Sequence, residues 1–433
     1  MTTYHEFDPD QLAALARGDG GPAAITALRD AQLSRHLLLI GHLLRHWPGG
    51  AVERDAVAGT LERARRAAPD RFAHVLGAPL VGSWTGIVVR AIERGVAAAP
   101  DFGQLCGVAA VAAAAARVPA DLAVPVRDGV VSLPGLGVAT LGDATSARLI
   151  AEDGELVLVG AGRRVAIPRD CDDPPALGWL PVRRLAAPGA PGVGLDDVDP
   201  YRHGHHSPPA NRLDETEVAR WQALFAEAWE MLAGRLPGRA SELAAGLETL
   251  VPLAQTDTRS ARSATIRHAF GAFGLTRPAS AAEFAVTMVH EFQHSKLSGM
   301  LDLAPMSDPA ETRRFFAPWR IDPRPLAGLL QGVYAFIGVA DTWRALRDEN
   351  DLTPVATARF AEARLQVDRG LSAVEASGAL TDTGERVVAG LRARTDELLA
   401  EPLDAQVVRD AERALADTHQ HWVDRNKAPV RAM

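Results

Sequence analysis

Three residues within Ala285 to Asp302 (AVTMVHEFQHSKLSGMLD) have the types and spacing for metal chemistry: His290, Glu291 and His294, in the order H-E-x-x-H. Residues four apart on an α-helix sit nearly one above the other, so two imidazoles at this spacing can grip one ion. Glu291 falls on the neighbouring flank, where a carboxylate faces a water or substrate on that ion. The preceding run, Phe284 to Val289, is apolar and predicts a buried helix. Buried imidazole and carboxylate groups need partners, and a metal satisfies all three at once. Chance competes with this reading, since the chain has thirteen histidines. The apolar helical setting favours the metal.

A third ligand is harder to find. The longer metzincin pattern fails, because Leu297 stands where it needs glycine and Met300 where it needs histidine. Thermolysin-like enzymes take a Glu from a following helix. The next helical pattern, Arg324 to Arg347, has Gln331 and Tyr334 near its middle and reaches no Glu until Glu349. A buried Gln331 without partners would cost about 1–3 kcal/mol, so it is expected to face the metal, its water or a cosubstrate, as third ligand or behind one. Asp302 lies eight residues past His294, about 12 Å along a helix at roughly 1.5 Å per residue, and reaches the same site only if Gly299 breaks the helix. His203, His205 and His206 sit in a Pro/Gly loop and read as solvated. His36, His42 and His46 read as surface or core-edge residues, and His419 and His421 as a frayed helix end.

The elements that must position these groups follow from patterning. Residues 1–118 read as a helical N-terminal region, with Asp8 capping a first helix through Ala16. GSWTG (Gly82 to Gly86) reads there as a turn between helices. Residues 119–200 alternate with period two and form a β-rich insert, with turns at Arg127 to Gly129 and Glu152 to Glu155. Residues 201–433 carry the metal-binding catalytic domain, opening on an amphipathic helix after Asp214. Ala264 to Ile266 and Phe270 to Leu275 read as strands before the metal helix, the order found in zincins, where an extended peptide can pair with the sheet edge. The fold class expected is α+β, mostly helical, with a C-terminal zincin-like metal domain built on the H-E-x-x-H helix.

Composition excludes several classes. A net charge of −8 without a long basic run argues against nucleic acid as a partner. The N-terminus lacks a basic and then apolar signal pattern, and no apolar run reaches the roughly 18 residues a membrane span needs. Cys106 and Cys171 form no zinc spacing, so a reduced, cytoplasmic protein is expected.

The blocks VHEFQHSKLSGMLDL, FFAPWRIDPRPLAGLLQGVYAF and SATIRHAFGAF resemble the HExxH-motif peptide-modification proteins of gene clusters for ribosomally made, modified peptides. The similarity extends from Leu28 to the terminal HQHWVDRN and is most specific over Met288 to Val339. The resemblance implies iron(II)- and 2-oxoglutarate-dependent β-hydroxylation of a precursor-peptide residue, with a radical-SAM maturase as a possible partner. Non-haem iron oxygenases need two histidines, usually one carboxylate, and open positions for cosubstrate and O₂. The distal carboxylate of 2-oxoglutarate wants a basic partner, and Arg320 and Arg324 in a Pro-bounded loop are candidates, with Arg267 next. Pairing of those arginines with Asp302, Asp308 or Asp322 is the competing expectation. Glu291 is then an iron ligand or an anchor, whereas in a zinc peptidase it is the acid/base. Zinc peptidase stays open as the alternative; a metal-free scaffold has no need for His290, Glu291 and His294 together.

Overall fold

The computed structural model describes residues 5, 7–97, 99–168, 178–202, 208–255, 261–348 and 351–426. His203, His205, His206 and Cys171 lie outside the described residues. Helices open the chain: α1 (Pro9–Ala16), α2 (Gly21–Arg45), α3 (Ala51–Ala67), α4 (Pro69–Gly77), α5 (Pro79–Glu93) and α6 (Ala99–Ala115). Strands follow: β1 (Ala120–Pro125), β2 (Val130–Leu133), β3 (Gly137–Thr140), β4 (Ser146–Glu152), β5 (Glu155–Gly160) and β6 (Arg163–Ile167). Next come the short β7 (Trp179–Pro181), β8 (Arg183–Leu185) and β9 (Val193–Leu195). Helices α7 (Glu215–Arg235) and α8 (Pro237–Gly246) lead to β10 (Thr249–Pro252), β11 (Ser263–Thr265) and β12 (Ala272–Leu275). The rest is α9 (Ala281–Leu303), β13 (Arg314–Phe315), β14 (Arg324–Pro325), α10 (Leu326–Leu346), α11 (Thr353–Glu375), α12 (Asp382–Ala400) and α13 (Ala405–Asn426). The class is therefore mixed α+β and mostly helical.

Two packing units emerge, each drawn from stretches distant in sequence. The first joins Met1–Leu28, Ala223–Gly246 and Pro278–Met433; the second joins Arg29–Gln222 and Leu247–Arg277. The segments read from composition follow the change of element type along the chain, whereas these units follow contacts.

In the second unit, β1, β4, β5 and β6 form an antiparallel sheet in the order β1-β4-β5-β6. Its apolar residues, among them Leu122, Leu149 and Leu158, join those of α6 in one core. Asp153 and Gly154 both have positive φ and close the β4–β5 hairpin between Glu152 and Glu155, the mirror-image turn that suits strand twist. The Asp128–Gly129 turn is equally tight, but it links strands of different sheets, since β1 pairs with β4 and β2 with β3. A five-stranded sheet runs β11-β12-β10-β9-β8, with β9, β10 and β12 parallel and the two edges antiparallel.

GSWTG departs from the turn expected of it. It lies inside α5 and is buried. A Cβ at Gly86 would come 2.6 Å from the His268 ring, and one at Gly82 would overlap the His268 carbonyl. The two glycines stand four apart so that residues 266–269 can approach the helix, which is a packing requirement and needs no chain reversal. His36 is buried in the same unit, its Nδ1 2.9 Å from the Leu76 carbonyl, while His42 and His46 stack at 4.2 Å.

In the first unit, α9 starts at a serine N-cap: Ser280 Oγ accepts the Glu283 backbone N–H at 3.2 Å, with Glu283 in the first turn. The helix continues through Gly299 without a break, so Asp302 stays two turns beyond His294 on the same rod. Helix α10 runs antiparallel to it. Gln331 faces His294 and Ser298, while a Cβ on Gly338 would meet Val289 and Gln293 at 2.8 Å, so the helices approach closely there. Gln293 and Lys296 of α9 donate to the Gly18 carbonyl at 3.0 and 2.7 Å, and Arg239 donates to it as well. Lys296 is fully buried, pairs with Glu242 at 2.7 Å and is pushed down to about 8 by burial. These bonds hold the end of α1 against the helix that carries the histidines.

Candidate functional site

On α9, Thr287, His290, Glu291, His294, Ser295 and Ser298 fall within one arc of the helix and form a polar stripe. The His290 and His294 rings stand edge to face, 85° apart, with centroids separated by 4.8 Å. Burial lowers His290 to about 4, and the adjacent His294 adds to the shift while Glu291 opposes it. His290 is therefore neutral at neutral pH, with a lone pair to offer a cation. Glu291 is buried, and its Oε1 lies 3.7 Å from His290 Nε2.

His294 is held from behind. Its Nδ1 lies 3.0 Å from Gln331 Oε1, and Gln331 Nε2 donates to Ser298 Oγ at 3.2 Å. Both ends of the Gln331 amide are thus engaged, which places this residue behind a candidate ligand. The outer wall is aromatic. Phe336 and His290 meet in a T-shaped contact at 5.4 Å, and Phe336 stacks on Trp319 at 4.6 Å. The Trp319 indole fits only because glycine occupies positions 332 and 370: a Cβ at Gly332 would overlap the ring, and one at Gly370 would lie 3.1 Å from it. Ser298 and Trp319 were not singled out from sequence as site residues, and Phe336 only as a position near which related proteins carry a histidine. The serine had a signal, its place on the polar stripe, but the two aromatics reach the site only through the pairing of α9 with α10.

The arginines expected to bind a carboxylate already hold one. Arg320 pairs with Asp322 Oδ1, and Arg324 lies 3.5 Å from Asp322 Oδ2. Partial burial would raise the Asp322 carboxyl, but the two guanidinium groups outweigh it and keep the group below its ordinary value. Arg267 belongs to the other packing unit, in the turn between β11 and β12. His419 packs on Phe316 at 4.8 Å and parallel to Trp422, on a helix that continues to Asn426.

Two imidazoles on one face, His290 neutral and His294 with its second nitrogen anchored, suit a borderline divalent ion such as iron(II) or zinc. Among the described residues, no group of three or more His, Cys, Asp or Glu side chains is gathered to hold an ion. The donor set thus fits two protein ligands at His290 and His294, with the remaining positions left to other donors. No family model matches the chain, and no curated protein shows significant similarity to it.

Proposed function

We propose that this protein is an iron(II)- and 2-oxoglutarate-dependent hydroxylase acting on a side chain of a ribosomally made precursor peptide. The observation that carries the reading is the His290–His294 pair: edge to face at 4.8 Å, with His290 kept neutral and His294 anchored at Nδ1. The resemblance of Met288 to Val339 to the HExxH-motif peptide-modification proteins supplies the reaction class. Under this reading the first unit is a zincin-like catalytic domain, the location is cytoplasmic, and a radical-SAM maturase is a candidate partner.

Bound iron would supply activation of O₂, coupled to conversion of 2-oxoglutarate to succinate and CO₂. The protein's own residues do the rest. His290 and His294 hold the ion, Gln331 and Ser298 keep His294 oriented, and Phe336 with Trp319 forms a dry wall beside His290. Arg324 is the better of the two arginines for the distal carboxylate of 2-oxoglutarate, because its contact with Asp322 is long. Glu291, buried next to His290, is poised as an additional oxygen donor or a proton carrier.

That same glutamate favours a second reading. In a zinc peptidase, Glu291 would take the proton of an attacking water, and the products would be two shorter peptides. Helix α10 argues against it, since it carries no Glu to serve as the third ligand that such enzymes take from the following helix. The readings separate on cosubstrate binding. Under anaerobic conditions, iron and 2-oxoglutarate together should give a weak visible charge-transfer band, with one iron per chain. His290→Ala combined with His294→Ala should abolish both. Full iron occupancy in the double variant would overturn the assignment of the site.

A further inference from the structure

The hydrogen-bonded chain Ser298–Gln331–His294 can be wired in two ways with the same heavy atoms. In one, His294 Nδ1–H donates to the amide oxygen and the amide N–H donates to Ser298 Oγ. In the other, the amide is turned, its N–H donates to a bare Nδ1, and the serine hydroxyl donates to the amide oxygen. The two differ in one consequential respect. The first leaves Nε2 with its lone pair; the second puts a proton there and closes it to any cation.

The orientation of the amide selects the first arrangement, and its surroundings hold it in place. The amide oxygen is the atom on His294, at 3.0 Å, and the amide nitrogen is the atom on Ser298, at 3.2 Å. Ser298 stands four residues beyond His294 on α9, so anchor and imidazole share one face, while Gln331 arrives from α10 and closes the triangle. Ser298 is buried at 8% exposure, so little water competes for its hydroxyl. The ring beside His294 is that of His290, nearly perpendicular to it at 4.8 Å.

We infer that Gln331, itself held by Ser298, is a positioning residue that fixes the His294 tautomer with its proton on Nδ1, so that Nε2 is the nitrogen offered to a cation. The purpose of this lock rests on the metal reading above, but its existence is a property of the metal-free chain. In free histidine the proton prefers Nε2, so the lock reverses the default. Gln331→Leu removes the acceptor and should return the proton to Nε2. Gln331→Glu keeps an acceptor oxygen and should preserve the Nδ1–H form. Ser298→Ala lets the amide turn and should give a mixture.

The test uses the full chain, metal-free, labelled with ¹⁵N-histidine. The His294 ring signals are assigned by their loss in His294→Gln, and the protonated nitrogen is read from the ring ¹⁵N shifts. Anaerobic titration with iron(II) follows on each variant. The expected result is Nδ1–H in the wild type and in Gln331→Glu, and Nε2–H in Gln331→Leu with iron affinity about 10–100-fold weaker. Gln331→Glu should bind iron as tightly as the wild type. A wild-type proton on Nε2 overturns the inference, even if Gln331→Leu fails to fold. So does a loss of affinity in Gln331→Leu without a change of tautomer, since that is what a merely structural role would produce. A wild type that shows Nδ1–H yet binds no iron supports the lock and counts against the proposed function.

Discussion

Asp322 decides what the arginines of residues 320–324 can do. A guanidinium already paired must give up that pair before it can take a substrate carboxylate, and the closer pair is the one more reluctant to open. Arg320 is held directly, whereas Arg324 stands at 3.5 Å. Arg324→Ala should therefore weaken 2-oxoglutarate binding by at least about 2 kcal/mol, the scale of a lost charge-assisted bond, and Arg320→Ala by less than about 0.5 kcal/mol. Anaerobic titration of the charge-transfer band measures both. Equal small losses would move the carboxylate partner away from this loop. The spacing of His290 and His294 on one helix face was legible in the sequence, because four residues are close to one helical turn. The competition for the arginines was legible only as an alternative, since a loop with Asp322 between two arginines permits both pairings.

Elements show the same mixture of local and tertiary information. Helix starts at Asp8, Asp214 and Ser280 are written in local chemistry: each side chain accepts a backbone N–H of the first turn. Glycines are ambiguous. Those of GSWTG serve close approach inside α5, and Gly332 and Gly370 make room for Trp319, but nothing local distinguishes such glycines from turn residues. Gly332→Ala should force the indole out of its slot, costing about 1–3 kcal/mol of stability as overpacking does. Denaturant unfolding would measure the loss, and a red-shifted tryptophan emission would accompany it. An unchanged midpoint and spectrum would contradict the fit.

The turn after β9 offers a pH prediction. Asp199 is buried and pushed up to about 7, by burial first and by the carboxylate of Asp196 next. Its ordinary value is 3.8, so between about pH 4 and 7 the folded chain keeps a proton that the unfolded chain has released. The stability this group contributes is full below that window and is lost as pH rises through it. Asp199→Asn keeps an acceptor for the Tyr201 N–H and has no charge to bury. It should stabilise the protein by about 1–3 kcal/mol at pH 8 and by little at pH 4. Unfolding curves at the two pH values check this; equal effects at both would show that the Asp199 carboxyl is not raised.

At the scale of the molecule, each packing unit combines segments that composition alone keeps apart, because patterning reports element type and says little about which distant elements meet. Among the described residues no single helix is long and apolar enough to cross a membrane. The net charge is −8, and the proposed partner is a peptide. Hydroxylation and cleavage leave different marks on such a peptide, and intact mass spectrometry distinguishes them in one experiment. A candidate precursor peptide is incubated with the full chain, iron(II), 2-oxoglutarate and air. The account predicts a mass gain of one oxygen that requires 2-oxoglutarate, yields succinate and disappears in His290→Ala. Shorter fragments carrying the elements of water, formed with zinc and without 2-oxoglutarate, would contradict it.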